Sequence, residues 1–181
     1  MILKETMDYI KESCKRAVYS IPQDDWDALI DMIVSKDRIF VFGAGRSGLI
    51  GQLFAVRMVQ MGLQVYFVGD MTTPIIGKGD LVLLISNTGD TVSVFTTAEI
   101  AKRMGSYVVS VTSDPKSRLA KVSDRTIVVK TVKDALSSEL APLGTIFEDT
   151  VLFFFDCLVP ELMKKVGVKE EDMRRNHAIW V

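Results

Sequence analysis

Five short runs of nearly uninterrupted apolar residues recur along the chain, at 39–42, 64–68, 81–85, 107–112 and 125–130, and helical patterns fill most of the intervals between them. A strand that is apolar on both faces has no side to turn to water, so it belongs in a parallel sheet with helices packed on each face. Parallel neighbours also need crossover connections, which the helical stretches supply. The order of runs therefore predicts an α/β chain: a three-layer α-β-α sandwich around a five-stranded parallel sheet, flavodoxin-like in kind. Two amphipathic stretches stand before the first run, residues 2–19 and one beginning near Gln23, where Asp24 and Asp25 suit the positive end of a helix. Two N-terminal helices are thus expected ahead of the sheet.

A length of 181 residues with 48% hydrophobic content suits one domain that buries about 70% of its unfolded surface. We expect residues 1–37 to hold the N-terminal helices, 38–166 the α/β core, and 167–181 a short helix and tail. The stretch 49–61 is apolar almost all round, which calls for the sheet on one side and a partner chain on another; a homo-oligomer is expected. Residues 131–144 leave the regular pattern. Residues 145–166 resume it as one long helix, in which Pro160 should introduce a kink. A charged helix over 169–175 closes the chain.

Composition also excludes partners. The net charge is −1 and the pI about 5.9, so no basic field exists to hold nucleic acid or an anionic membrane, and the N-terminal helices lack the basic character of a helix-turn-helix reader. The most apolar stretch, 151–155, meets Asp156 at once, far short of the roughly eighteen residues of a membrane span. Lys4, Glu5 and Asp8 interrupt the first ten residues, unlike a signal or transit peptide. Cys14 and Cys157 lack metal-ligand spacing, are too few for a disulfide framework, and fit a reducing cytoplasm. Neither a metal nor a redox cofactor is expected.

The chemistry concentrates where two of the apolar runs end. The first breaks into Gly43-Ala44-Gly45-Arg46-Ser47-Gly48, where glycines allow φ > 0 and close approach, and the following helix start offers unpaired N–H groups and a positive dipole end. An anion, phosphate above all, belongs there. The loop also spells G-x-G-x-x-G, with Asp70 some way beyond it at the end of the next run, as in a dinucleotide site. The third run argues against that reading. It ends in Ser86-Asn87-Thr88-Gly89-Asp90-Thr91, and hydroxyls suit a terminal phosphate monoester with its nearly two charges and three acceptor oxygens, whereas a bridging pyrophosphate asks mainly for close backbone approach. One glycine-rich and one hydroxyl-rich loop favour a sugar phosphate. In open parallel sheets both would lie beyond the strands' carboxyl ends, where the connection order changes sides.

These loops, followed much later by Gly144-Thr145-Ile146-Phe147-Glu148 and by Asn176-His177-Ala178, resemble the sugar isomerase (SIS) domain family over essentially the whole chain, and within it the hexulose-phosphate isomerases. Two departures stand out: Asn87-Thr88 where Gly-Ser is usual, and Ile179-Trp180-Val181 instead of a more polar ending. The resemblance implies an aldose-ketose-type isomerase that interconverts D-arabino-hex-3-ulose 6-phosphate and D-fructose 6-phosphate, acting as a homotetramer built as a dimer of dimers. It implies Glu148 as catalytic base and His177 as a second catalytic group. Arg46, inside the first loop, is assigned electrostatic or binding help, and Gly45, Ser47, Ser86, Asn87, Thr88, Gly89, Asp90 and Thr91 are assigned to the substrate and its phosphate.

Each residue also has a plainer reading. Glu148 lies three positions after Thr145 and would complete a capping box. His177, near a chain end, would be a solvated tail residue. Arg46 would pair with a surface carboxylate, Asp70 is an ordinary loop acid, and Phe153-Phe154-Phe155 are core or subunit interface. Two other functions use the same loops: a non-catalytic sugar-phosphate sensor, and an isomerase of heptose or arabinose phosphates.

Overall fold

The computed structural model describes residues 2–132 and 134–178. The expected tail ending at 179–181 lies outside the described residues. Helices α1 (Ile2–Tyr19) and α2 (Gln23–Ser35) come first, followed by β1 (Ile39–Gly43), α3 (Gly45–Gln60), β2 (Val65–Phe67), β3 (Leu81–Ile85), α4 (Val92–Arg103), β4 (Tyr107–Thr112), α5 (Arg118–Val122), β5 (Arg125–Val128), α6 (Ala135–Leu140), α7 (Thr145–Val166) and α8 (Glu170–Arg175). The strands form one parallel sheet in the order β2-β1-β3-β4-β5.

Alternation along each strand builds the two outer layers. Ile39, Val41, Leu81, Leu83, Ile85, Val109 and Val111 turn to one face, where α2, α3 and α7 supply Leu29, Ile33, Phe54, Met58, Val151, Phe154, Phe155 and Leu158. Phe40, Val82, Leu84 and Val108 turn to the other, against Val94, Ala98 and Ala101 of α4 and Leu119 of α5. Burial on both faces is why these strands read as continuous apolar runs rather than alternating ones. The buried positions of α7, among them Phe147, Val151, Phe154, Leu158 and Leu162, recur at helical spacing. Phe155 stacks on Phe54 of α3 at 4.2 Å between ring centroids, and Phe154 meets Trp26 of α2 edge-on at 4.5 Å. This helix thereby pins α2 and α3 to the sheet.

Some boundaries differ from the sequence expectation. The edge strand β2 keeps only three paired residues, Val65–Phe67, and β5 stops at Val128. Helix α3 starts at Gly45 rather than near Leu49, because most of the glycine loop is its first turn. The segment expected to be irregular contains α6, capped by Asp134, whose carboxylate accepts the Ser137 N–H at 2.8 Å while the Asp134 N–H reaches Ser137 Oγ at 3.2 Å. Helix α7 runs unbroken through Pro160; Pro160 and Asp156, four residues earlier, are both exposed, so water satisfies the carbonyl that the missing N–H leaves free. No helix among the described residues is long and apolar enough to cross a membrane.

Candidate active site

The strand order changes direction at β1, which pairs with β2 on one side and β3 on the other. Gly43 at the end of β1 lies in register with Ile85 at the end of β3, so both chemical loops leave the sheet side by side at this switch point. Their glycines do different work. A Cβ on Gly48 would stand 2.4 Å from the Gly43 carbonyl oxygen, and one on Gly43 would stand 2.8 Å from the Gly48 nitrogen, so this pair exists to let α3 press against the end of β1. Only Gly45 in that loop takes a positive φ, +58°, and the space beside it is open. In the second loop Gly89 combines φ +66° with a would-be Cβ 2.1 Å from Ser117 Oγ.

Helices α3, α4 and α7 are preceded by Ala44, Thr91 and Gly144, and none of these residues caps its helix with a side-chain hydrogen bond. Helix starts without a side-chain cap suit an anion. The hydroxyl loop lies among them. Ser86 Oγ, almost wholly buried, sits 3.2 Å from Thr91 Oγ1 and accepts the Gly89 N–H at 3.2 Å; Thr88 Oγ1 accepts the Asp90 N–H at 3.3 Å. Asp90 departs from the expected arrangement. Its carboxylate turns to α5, accepting the Arg118 N–H at 3.1 Å and Arg118 Nε at 3.3 Å. Those bonds hold its pKa below the usual carboxylate range. A carboxylate facing a phosphate would repel it; turned to Arg118, Asp90 anchors the loop instead.

Glu148 enters from α7. Its carboxylate is buried, with 7% of the residue exposed, and takes an ion pair from Arg46 Nε, with Ser47 Oγ at 3.5 Å from the other oxygen. Arg46 and Ser47 stand in the first turn of α3, so the glycine loop aims them at a residue a hundred positions later. The capping-box reading is thereby overturned. Gly144 is the residue before the helix, Thr145 already lies inside it and donates its hydroxyl to Pro142 O at 2.7 Å, and the Glu148 side chain is engaged elsewhere. Two consecutive left-handed residues, Leu143 at φ +55° and Gly144 at φ +89°, set the entry to α7; such conformations cluster at functional sites. The hydrogen bond to Glu148 raises the Arg46 pKa further. Next door, burial pushes the Asp149 carboxyl up against the pull of Arg46.

His177 stands apart from this cluster. Its Nδ1 lies 3.0 Å from Ala178 O, and Asn176 Nδ2 ties the tail to Gln60 O at the end of α3, 3.1 Å away. The cavity that His177 lines, about 850 Å³, is walled by α3, Phe67 and Asp70 and shares no residue with the Glu148 cluster. Asp70 thus lines the same cavity as His177. Sequence reasoning also missed Thr112 and Ser113, which hold Asn87 from the end of β4; their hydroxyls at the carboxyl end of a strand were the available signal.

A model of the SIS domain family matches residues 32–147, a span holding both loops and the start of α7. The chain belongs to the SIS domain family. Two relatives bear the name 3-hexulose-6-phosphate isomerase: that of Bacillus subtilis is 36% identical, covering 96% of this chain and 98% of its own, and that of Methanocaldococcus jannaschii is 39% identical, covering 85% of each. A solved structure of a Methanococcus jannaschii protein, for which a 3-hexulose-6-phosphate isomerase function is inferred, superposes with a TM-score of 0.88 at 34% identity, covering 98% of this chain and 99% of that one. This SIS fold is thus shared over 98% of the chain.

Proposed function

We propose that this SIS protein is a phosphosugar isomerase interconverting D-arabino-hex-3-ulose 6-phosphate and D-fructose 6-phosphate, the reaction of the ribulose monophosphate route of formaldehyde fixation. The observation that carries the reading is the buried Glu148 carboxylate, held by Arg46 and Ser47 beside the hydroxyl loop and the uncapped starts of α3, α4 and α7. Relatives of that name at 36% and 39% identity support the substrate. A reducing cytoplasm suits its free cysteines.

In this mechanism Ser47, Ser86, Thr88 and Thr91, with the N–H groups near Asn87 and Gly89, hold the phosphate. Glu148 takes the proton from C2 of the hexulose, giving a 2,3-enediol, and returns it at C3; the oxygen proton passes from O2 to O3. Arg46, already paired with the carboxylate, stabilises charge on the oxygens. The hexulose cannot close a five-membered ring onto C3, since its C6 oxygen carries the phosphate, so ring opening is required only from fructose 6-phosphate.

The same reading makes the protein an oligomer, a tetramer assembled as a dimer of dimers. Leu49, Leu53, Val56 and Val59 form a stripe along α3 that is about half exposed, and Phe153 of α7 is also half exposed. The lower end of this stripe opens into the His177 cavity. Covering it with a second chain removes apolar surface from water and brings His177 to a subunit boundary.

Incubation with fructose 6-phosphate in deuterated water tests the function. Deuterium entering at C3, with hexulose 6-phosphate formed, is the expected result. Binding of fructose 6-phosphate with no exchange would make the protein a sensor, and exchange confined to a heptose or arabinose phosphate would change its substrate.

A further inference from the structure

The hydrogen bonds around Asn87 give its side chain an orientation that phosphate binding does not use. The main-chain carbonyl of Asn87 accepts from Thr112 Oγ1 at 3.0 Å and from the Ser113 N–H at 2.9 Å, which occupies both of its lone pairs. The Ser113 hydroxyl, 2.8 Å from that carbonyl and also 2.8 Å from Asn87 Oδ1, therefore gives its proton to Oδ1. With its oxygen held on Ser113, the amide turns its NH₂ toward the start of α7, where a Cβ on Gly144 would stand 2.9 Å from Nδ2. Glycine at 144 is what leaves room for this group. Nδ2 makes no hydrogen bond to an acceptor among the described residues. It faces a cavity of about 370 Å³ whose walls include Thr131, Ser138, Leu143, Gly144 and Phe147.

The cavity adjoins the site through two of its wall residues: Asn87 directly follows Ser86 of the hydroxyl loop, and Phe147 directly precedes Glu148. We propose that the Asn87 side-chain amide binds substrate, donating to oxygens of the open sugar chain between the phosphate and the reacting carbons, and that Ser113 is the residue that positions it. The inference rests on the phosphosugar reading and goes further by assigning a group to the middle of the substrate. The chemistry matches: an NH₂ offers two donors, a polyol chain offers acceptors at each carbon, and a donor already fixed by Ser113 loses little freedom when substrate arrives.

The test uses Asn87→Ala, Ser113→Ala, the double variant and Ser113→Thr, each titrated calorimetrically with fructose 6-phosphate and, separately, with inorganic phosphate. Asn87→Ala should weaken fructose 6-phosphate by about tenfold, the worth of one to two such hydrogen bonds, while inorganic phosphate stays within about twofold. Ser113→Ala should weaken the sugar phosphate by roughly threefold in the wild-type background and not at all in Asn87→Ala, because residues acting as one unit are not additive. Ser113→Thr, which keeps the hydroxyl, should bind as the wild type does. Equal losses for both ligands in Asn87→Ala, or the same Ser113→Ala loss in both backgrounds, would overturn the assignment. A protein showing this binding pattern without isomerising the sugar would overturn the isomerase reading alone; one that binds neither ligand would overturn both.

Discussion

At Glu148 a buried carboxylate is paired with Arg46, whose side chain is 61% exposed. The pair is therefore a poor source of stability, since burying the carboxylate offsets much of the attraction. Glu148→Gln keeps an oxygen for Arg46 and removes the buried charge, so the melting temperature should move by no more than a few degrees. The proton acceptor, however, is gone. Loss of a general base lowers the rate by about 10² to 10⁴, so kcat should fall at least a hundredfold while KM changes little; steady-state kinetics beside a thermal melt decide the point. The glycines allow a second comparison. Gly45→Ala meets open space and bears only the strain of a positive φ, about 1 kcal/mol, whereas Gly89→Ala adds a collision with Ser117 and should cost about 2 to 3 kcal/mol or more in urea unfolding. Residue types and loop spacing located both loops of the candidate site beforehand, because glycine and hydroxyl chemistry is local. What a side chain points at was not legible: Asp90 toward Arg118, and Glu148 toward Arg46 rather than toward its own helix end, depend on elements far apart in sequence.

Among the elements, the starts of α3, α4 and α7 are left without side-chain caps, as is that of α2 after Pro22, whereas α5 and α6 are capped by Ser117 and Asp134. Three of the uncapped starts gather at the switch point, and in the proposed reading they seat an anion on the folded protein. Anything that binds only the folded chain stabilises it by RT ln(1 + [L]/Kd), about 2.7 kcal/mol at a hundred times Kd. Inorganic phosphate should therefore raise the melting temperature by several degrees over chloride at equal ionic strength. Thr91→Val, which removes a hydroxyl of the cradle, should lose most of that rise and increase KM for the sugar phosphate roughly ten- to a hundredfold. A rise unchanged by Thr91→Val would place the anion elsewhere. Element type followed directly from the apolar runs, since a doubly buried strand tolerates little else. Boundaries did not follow: α3 begins four residues early because glycine can serve as helix as readily as loop, and α6 was hidden in a segment with few apolar residues, although Asp134 and Ser137 carried its capping signal.

For the whole molecule, the sequence already hinted at a partner, because a helix that is apolar all round cannot satisfy its outer face within one chain. Helix α3 carries such an outer face: its sheet side is buried at Phe54 and Met58, and its outer side leaves Leu49, Leu53, Val56 and Val59 half exposed. Which groups meet across such a face was beyond reach, since a single sequence carries no record of a second copy. His177 gives the question functional content, lying at the end of that face and away from Glu148 of its own chain. If α3 packs on its counterpart by a two-fold axis, each chain can offer its tail to the other's site. The decisive measurement mixes two variants, each inactive alone: Glu148→Gln and His177→Ala. In a mixed pair, the site with Glu148 from the His177→Ala chain and His177 from the Glu148→Gln chain is intact. Random exchange of subunits should then restore activity to about a quarter of the sites, whereas a histidine acting within its own chain restores none. Leu53→Glu sharpens the result, because a charge set in the apolar stripe should give monomers by light scattering and abolish the recovery; an oligomer and a recovery that both survive Leu53→Glu would show that the α3 face is not the contact through which the site is shared.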